Sequence, residues 1–214
     1  MKFSHLPVFA AATSATPFGA PIERSSNLEV RQGTNLAAVV LGSVSNVATA
    51  VNASLATTQQ TIQTAGNNIN VQVQAIIEAN LRAVATALAS GGQAISNAIA
   101  AAGGNIAAAV ANFTASQINQ VILAIGQLVN LLTNLGISLE IIINNLEGVA
   151  PAVLQAIDDE LALIQNAINP LVTPIVNVAN AVGAVSADAN VILTGFTALV
   201  PGLVTIVNNV IDNS

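Results

Sequence analysis

Apolar residues recur at helical spacing from Thr34 almost to the end of the chain, and this periodicity limits the fold more than any other feature. Leu36, Val40, Val44, Val47, Val51, Leu55 and Ile62 are separated by steps of three, four or seven. Such steps line up on one side of an α-helix, leaving the Ser, Thr, Asn and Gln between them on the other. After an interruption at Gly66-Asn67-Asn68, a second stripe runs through Val73, Ile76, Ile77, Leu81, Val84 and Leu88. Gly91-Gly92 is expected to break it, because glycine is a poor helix former. Ile95 and Ile99 then precede a second doublet, Gly103-Gly104, beyond which Ile106, Val110 and Phe113 resume the pattern, as separate segments or as one kinked helix.

Further on, Val153, Leu154, Ile157, Leu161, Ile164 and Ile168 form another stripe, opened by Pro151 and expected to end at Asn169-Pro170. A shorter helix, opened by Pro174, is expected between Leu171 and Val185, and Pro201-Gly202 is expected to divide Val191–Val207 into a hairpin-like pair. No strand-like alternation with turn signals accompanies these stripes. The expected fold is all-α: an antiparallel, up-and-down bundle of about five to eight amphipathic helices joined by short loops.

What covers the outside of such a bundle is unusual. Charged residues make up 7% of the chain, where about 25% is ordinary. Four Lys+Arg face ten Asp+Glu, and no basic patch exists to neutralise phosphates, which argues against a nucleic-acid partner. Amides and hydroxyls dress the polar faces instead, and these cost far less to desolvate than charges. Cysteine is absent, so neither a disulfide framework nor a thiolate site is available.

The N-terminus has the pattern of a secretory signal peptide over residues 1–15. Lys2 supplies the positive region, Phe3–Ala12 a short apolar region, and Thr13-Ser14-Ala15 small residues for cleavage. Residues 16–31 read as a pro-segment or flexible linker, with Leu28-Glu29-Val30-Arg31-Gln32 resembling a fungal propeptide junction cut after Arg31. The helical domain is then 32–214.

Removing the leader takes away the only His, Lys and Met, and leaves Arg82 as the sole basic residue of 32–214. Subtracting Glu23 and Glu29 from the ten carboxylates leaves eight. Nucleophiles with an adjacent base and imidazole or thiolate metal ligands are therefore missing, so no catalytic residue, metal site or cofactor is expected and an enzyme is disfavoured. Glu140 and Glu147 are seven residues apart, about 10.5 Å along a helix, longer than a glycosidase pair requires. Asp158-Asp159-Glu160 points in three successive directions and reads as a solvated acidic run.

Ile118–Ile143 is the most apolar part of the middle region, yet Gln120, Gln127 and Asn134 repeat at heptad steps along it. An amphipathic, protein-buried helix is expected there, and no transmembrane helix in the mature chain. Two sequons, Asn52-Ala53-Ser54 and Asn112-Phe113-Thr114, are candidate N-glycosylation sites, the second expected in mid-helix.

The leader, the Leu28–Gln32 junction and the Ala/Val/Ile/Asn/Gln-rich amphipathic helices resemble small secreted fungal wall proteins of the hydrophobic surface-binding protein A and cell-wall galactomannoprotein type. The resemblance covers residues 32–214 and implies an extracellular helical domain that adsorbs to hydrophobic surfaces or binds fatty-acyl ligands at the cell wall. The residues themselves are compatible with the same functions: a bundle that opens onto an apolar interface, one that holds an acyl chain between its helices, or a secreted effector acting on host membranes.

Overall fold

The computed structural model describes residues 26–66, 69–146 and 150–212, with side chains from Leu36 onward apart from Ala152. It contains six helices and no strand among the described residues: α1 (Ser26–Ala65), α2 (Val71–Ala101), α3 (Ile106–Val110), α4 (Ala115–Asn144), α5 (Pro151–Val185) and α6 (Ala187–Asp212). The all-α expectation holds, and the number of helices falls within the expected range. The expected signal peptide, 1–15, lies outside the described residues. So does most of the 16–31 segment, whose backbone is helical from Ser26.

Local chemistry sets the helix boundaries. Asn70 caps α2 by accepting from the Gln72 and Val73 amides, and Asn105 caps α3 through the Ala108 amide. Thr114 and Gln117 form a reciprocal capping box at the start of α4. Gly66, at φ +53°, ends α1, and Gly103 and Gly104, at φ +88° and +73°, turn the chain after α2. A side chain would be strained in that left-handed region.

The five long helices close into a ring. α1 packs on α2, α2 on α5, α5 on α6, α6 on α4, and α4 back on α1, with α4 touching α5 across the middle. Successive long helices alternate in direction, as short connections require, but neighbours in the ring need not be successive. Arg82 and Gly92 of α2 face Glu160 and Pro170 of α5, so those two helices run parallel. Gly126 and Gly136 of α4 face Phe196 and Val207 of α6, again in parallel.

The buried interior is aliphatic. All seven members of the first stripe, from Leu36 to Ile62, are buried, as are Ile77, Leu81, Val84 and Leu88 of the second. On α5, Val153, Ile157, Leu161, Ile164 and Ile168 are buried and Leu154 packs at the edge. Phe113 and Phe196 are only partly buried, so aromatic rings do not build the centre.

Three expected breaks are absent. α2 continues through Gly91-Gly92, α5 through Pro170 and Pro174, and α6 through Pro201. Packing explains the first two together. Pro174 has no N–H to offer the carbonyl of Pro170 four residues earlier. That carbonyl faces Gly92, where a Cβ would lie 2.5 Å from its oxygen. Only a hydrogen fits, which permits a Cα–H···O contact between the helices. Gly91 likewise lies against Val47 of α1 and Leu171 of α5. The glycine doublet is thus a place where α1, α2 and α5 approach closely, and tertiary contact outweighs local helix propensity.

Candidate functional site

α6 carries the most distinctive surface. Its inner side, formed by Ala189, Leu193, Val200, Val207 and Ile211, is buried against α4 and α5. Its outer side is apolar as well. Val191, Ile192, Leu199 and Ile206 are 78%, 47%, 55% and 55% exposed. At about 100° per residue these four fall within one arc of roughly 100°. Gly195, Ala198 and Gly202 are exposed in and beside the same arc, and Asp188 and Asn209 bound it at the two ends. A helix apolar on both sides is suited to the middle of a large core or to a lipid environment. Here the second side meets solvent.

The expectation of no transmembrane helix in the mature chain is corrected by this geometry. Among the described residues, four helical stretches are long and apolar enough to cross a membrane: Leu36–Ala65, Ala115–Asn144, Val153–Val185 and Ala187–Asp212. The last has 26 residues, about 39 Å of helix against a hydrocarbon core of about 30 Å. The expectation rests on the polar stripe of Gln120, Gln127 and Asn134, which does not keep Ala115–Asn144 from being long and apolar enough to span, and the expected division at Pro201-Gly202 hides a further such helix. The helix instead runs unbroken, with its two carboxylates, Asp188 and Asp212, near the termini. Only 17% of its most apolar stretch is buried, against 44% for α4 and for α5.

On α4, Asn134 is exposed and Gln120 and Gln127 are half-buried, forming the expected polar stripe. Gln127 accepts a hydrogen bond from the Ser45 hydroxyl of α1 at 2.8 Å. Leu123, Ile137 and Ile141 are exposed beside that stripe, so α4 presents a mixed surface next to α6.

The described carboxylates are spread over the helices. No cluster of three potential metal ligands occurs among the described residues. Glu140 is exposed, and Glu147 lies outside the described residues. The Asp158-Asp159-Glu160 run divides: Asp158 and Asp159 are exposed, whereas Glu160 is buried and paired with Arg82 of α2. Both Nε and Nη2 of the guanidinium donate to this carboxylate. That hydrogen bonding, reinforced by the negative charge of Glu160, holds the guanidinium proton more tightly than usual. A buried Glu160 was legible in principle, since it lies three residues after Ile157 and four before Ile164, on the apolar stripe. The partner, 78 positions earlier, was not.

This pair leads to a stability prediction. Arg82→Leu is expected to lower the thermal midpoint, because it leaves a buried carboxylate without a countercharge, and Arg82→Lys to fall between it and the parent. The double variant Arg82→Leu/Glu160→Leu is expected to recover most of the loss, since it removes the unpaired carboxylate from its buried position and leaves an apolar side chain there, whereas Arg82 itself is largely exposed. Melting followed by circular dichroism checks the order, and equal midpoints for Arg82→Leu and the parent would count against it.

Of the sequons, Asn52 is exposed on the solvent side of α1. Asn112 is not in mid-helix: it occupies an exposed turn between α3 and α4, and Thr114 has extended backbone. Both asparagines are therefore exposed, one on a helix and one in a turn. Arg31 lies within the α1 backbone, its side chain outside the described residues. Comparison with protein-family models, curated proteins and solved structures produces no match.

Proposed function

We propose that this chain is a secreted, non-enzymatic helical protein that attaches to hydrophobic surfaces, with the outward side of α6 as its contact face. The observation that carries the proposal is the continuous exposed arc of Val191, Ile192, Leu199 and Ile206, uninterrupted by charge from Val191 to Ala198 and on to Ile206. No opening of the bundle is required, because this apolar side is already presented to solvent. Each of these side chains returns free energy when water is removed from it. Surrounding threonines and asparagines add no charge that would have to be dehydrated. The leader-like N-terminus and the two exposed sequons support export.

Purified protein is expected to bind octyl-coated particles and to stay bound through a wash in concentrated salt, since few charges take part and salt strengthens apolar burial. Release by modest salt would refute attachment through the α6 face. A second reading, insertion of helices into a bilayer, is favoured by the four long apolar helices. The two differ in outcome on neutral phosphatidylcholine vesicles: protease protection of α6 indicates insertion, and complete digestion indicates attachment at the surface.

A further inference from the structure

α4 and α6 run in parallel, so their C-terminal ends lie at the same end of the bundle. Between those ends is an open groove of about 330 Å³, at the lower end of the range for small-molecule sites. Ile143 of α4 and Ile206 and Val210 of α6 supply its apolar lining, and Glu140, Asn144 and Asn209 its polar lining. We propose that this groove binds a single-chain amphiphilic amine, with the ammonium head at Glu140 and the hydrocarbon chain against the two isoleucines and the valine.

Two observations select a positive head. First, the charged side chain lining the groove is Glu140, and the protein has no spare cation to set against it. Arg82 is the sole basic residue from Leu36 to the C-terminus, and it is engaged by Glu160. Second, a helix C-terminus carries a partial negative charge of about half an elementary charge. The parallel packing brings two such ends to this groove, with no basic residue in the last turn of either helix. An anionic head would meet like charge from the side chain and from both helix ends, whereas an ammonium meets opposite charge from all of them. Its N–H groups also suit the Glu140 carboxylate and the side-chain oxygen of Asn144, one turn further along α4. A bare divalent ion is poorly served, because it takes about six or more oxygen ligands and Ile143, Ile206 and Val210 offer none. The hydrocarbon chain has its own lining in those three residues. Ile206 also belongs to the outward arc of α6, so the chain leads from the groove toward that arc.

Titration calorimetry and native mass spectrometry of the whole chain with decylamine, protonated at about pH 7, test the assignment. Decanol supplies the chain without the charge, and ethylamine the charge without the chain. A one-to-one complex with decylamine is expected, with decanol and ethylamine each at least about tenfold weaker. Glu140→Gln, at an exposed position, is expected to weaken decylamine about tenfold. Asp188→Asn, which removes an exposed carboxylate at the far end of α6, is expected to leave it unchanged. Asn144→Trp, also at an exposed position, is expected to fill the groove and abolish binding with helicity intact. Adsorption to octyl-coated particles needs no charge, so Glu140→Gln is expected to preserve it. Parent protein that adsorbs but binds no decylamine refutes the groove alone, and protein that binds decylamine but does not adsorb refutes the α6 contact face alone. Decanol or ethylamine binding as tight as decylamine, or undiminished decylamine affinity in folded Glu140→Gln, would overturn the proposal.

Discussion

Exchanging Val191, Ile192, Leu199 and Ile206 together for glutamine is expected to reduce partition onto octyl-coated particles by about a thousandfold. Fully burying a Val, Leu or Ile side chain is worth about 1.5–3 kcal/mol. These four are between half and four-fifths exposed in the free protein, so attachment can return about 1 kcal/mol from each. Four such losses, at about 1.4 kcal/mol per tenfold, give a factor near ~10³. Glutamine is chosen because its helix propensity equals or exceeds that of the residues replaced. The thermal midpoint should therefore stay within a few degrees of the parent, since the side chains already face water. A depletion assay on the particles, with melting as the control, checks both halves. Undiminished adsorption would transfer the contact face elsewhere, with Leu123, Ile137 and Ile141 of α4 the next exposed set.

A loss of stability is expected at a residue that looks dispensable. Gly92→Ala should gain about 1 kcal/mol from helix propensity alone, as an alanine in the interior of α2. Its Cβ, however, would lie 2.5 Å from the Pro170 oxygen, 2.7 Å from its carbonyl carbon and 2.9 Å from the Leu171 nitrogen. These are backbone atoms and cannot rotate aside, so α2 and α5 must separate and the core around Leu88 and Leu171 must loosen. Overpacking of this kind costs about 1–3 kcal/mol and occasionally more, so after the propensity gain the net loss is expected near ~1 kcal/mol, with a midpoint lower by roughly 2–4 °C. Gly195→Ala is the matched control. No neighbouring atom lies within 4 Å of its added Cβ, and it should raise stability by about 1 kcal/mol. If Gly92→Ala melts at or above the parent, the close α2–α5 approach does not exist in solution.

The glycine and proline positions also mark the limit of what local rules convey. The first stripe, Leu36 to Ile62, was legible residue by residue because its burial depends only on a 3.6-residue period and a polar opposite side. Caps at Asn70 and Thr114 are equally local. Gly91-Gly92, Pro170 and Pro201 carry strong local signals for ending a helix, and each was read that way. In the bundle, Gly91-Gly92 instead permits close approach, and the carbonyl left free by Pro174 faces Gly92. Whether a weak point ends a helix depends on what packs there, and the packing partners are about 80 residues away. Glu160 was misread as solvated for the same reason, since its environment is created by Arg82 on another helix.

Patterning and composition alone determined that the chain forms amphipathic helices with an aliphatic interior, few charges and no imidazole or thiol chemistry within 32–214. Only the tertiary structure decided which of two apolar sides of α6 is buried. A period of 3.6 residues specifies that a helix has faces, but burial is assigned by neighbours, and among the described residues α6 packs against α4 and α5 on one side. Hydrophobicity is a property of the residue; exposure is a property of the assembly of helices around it, and the surface offered to a nonpolar partner follows from the second.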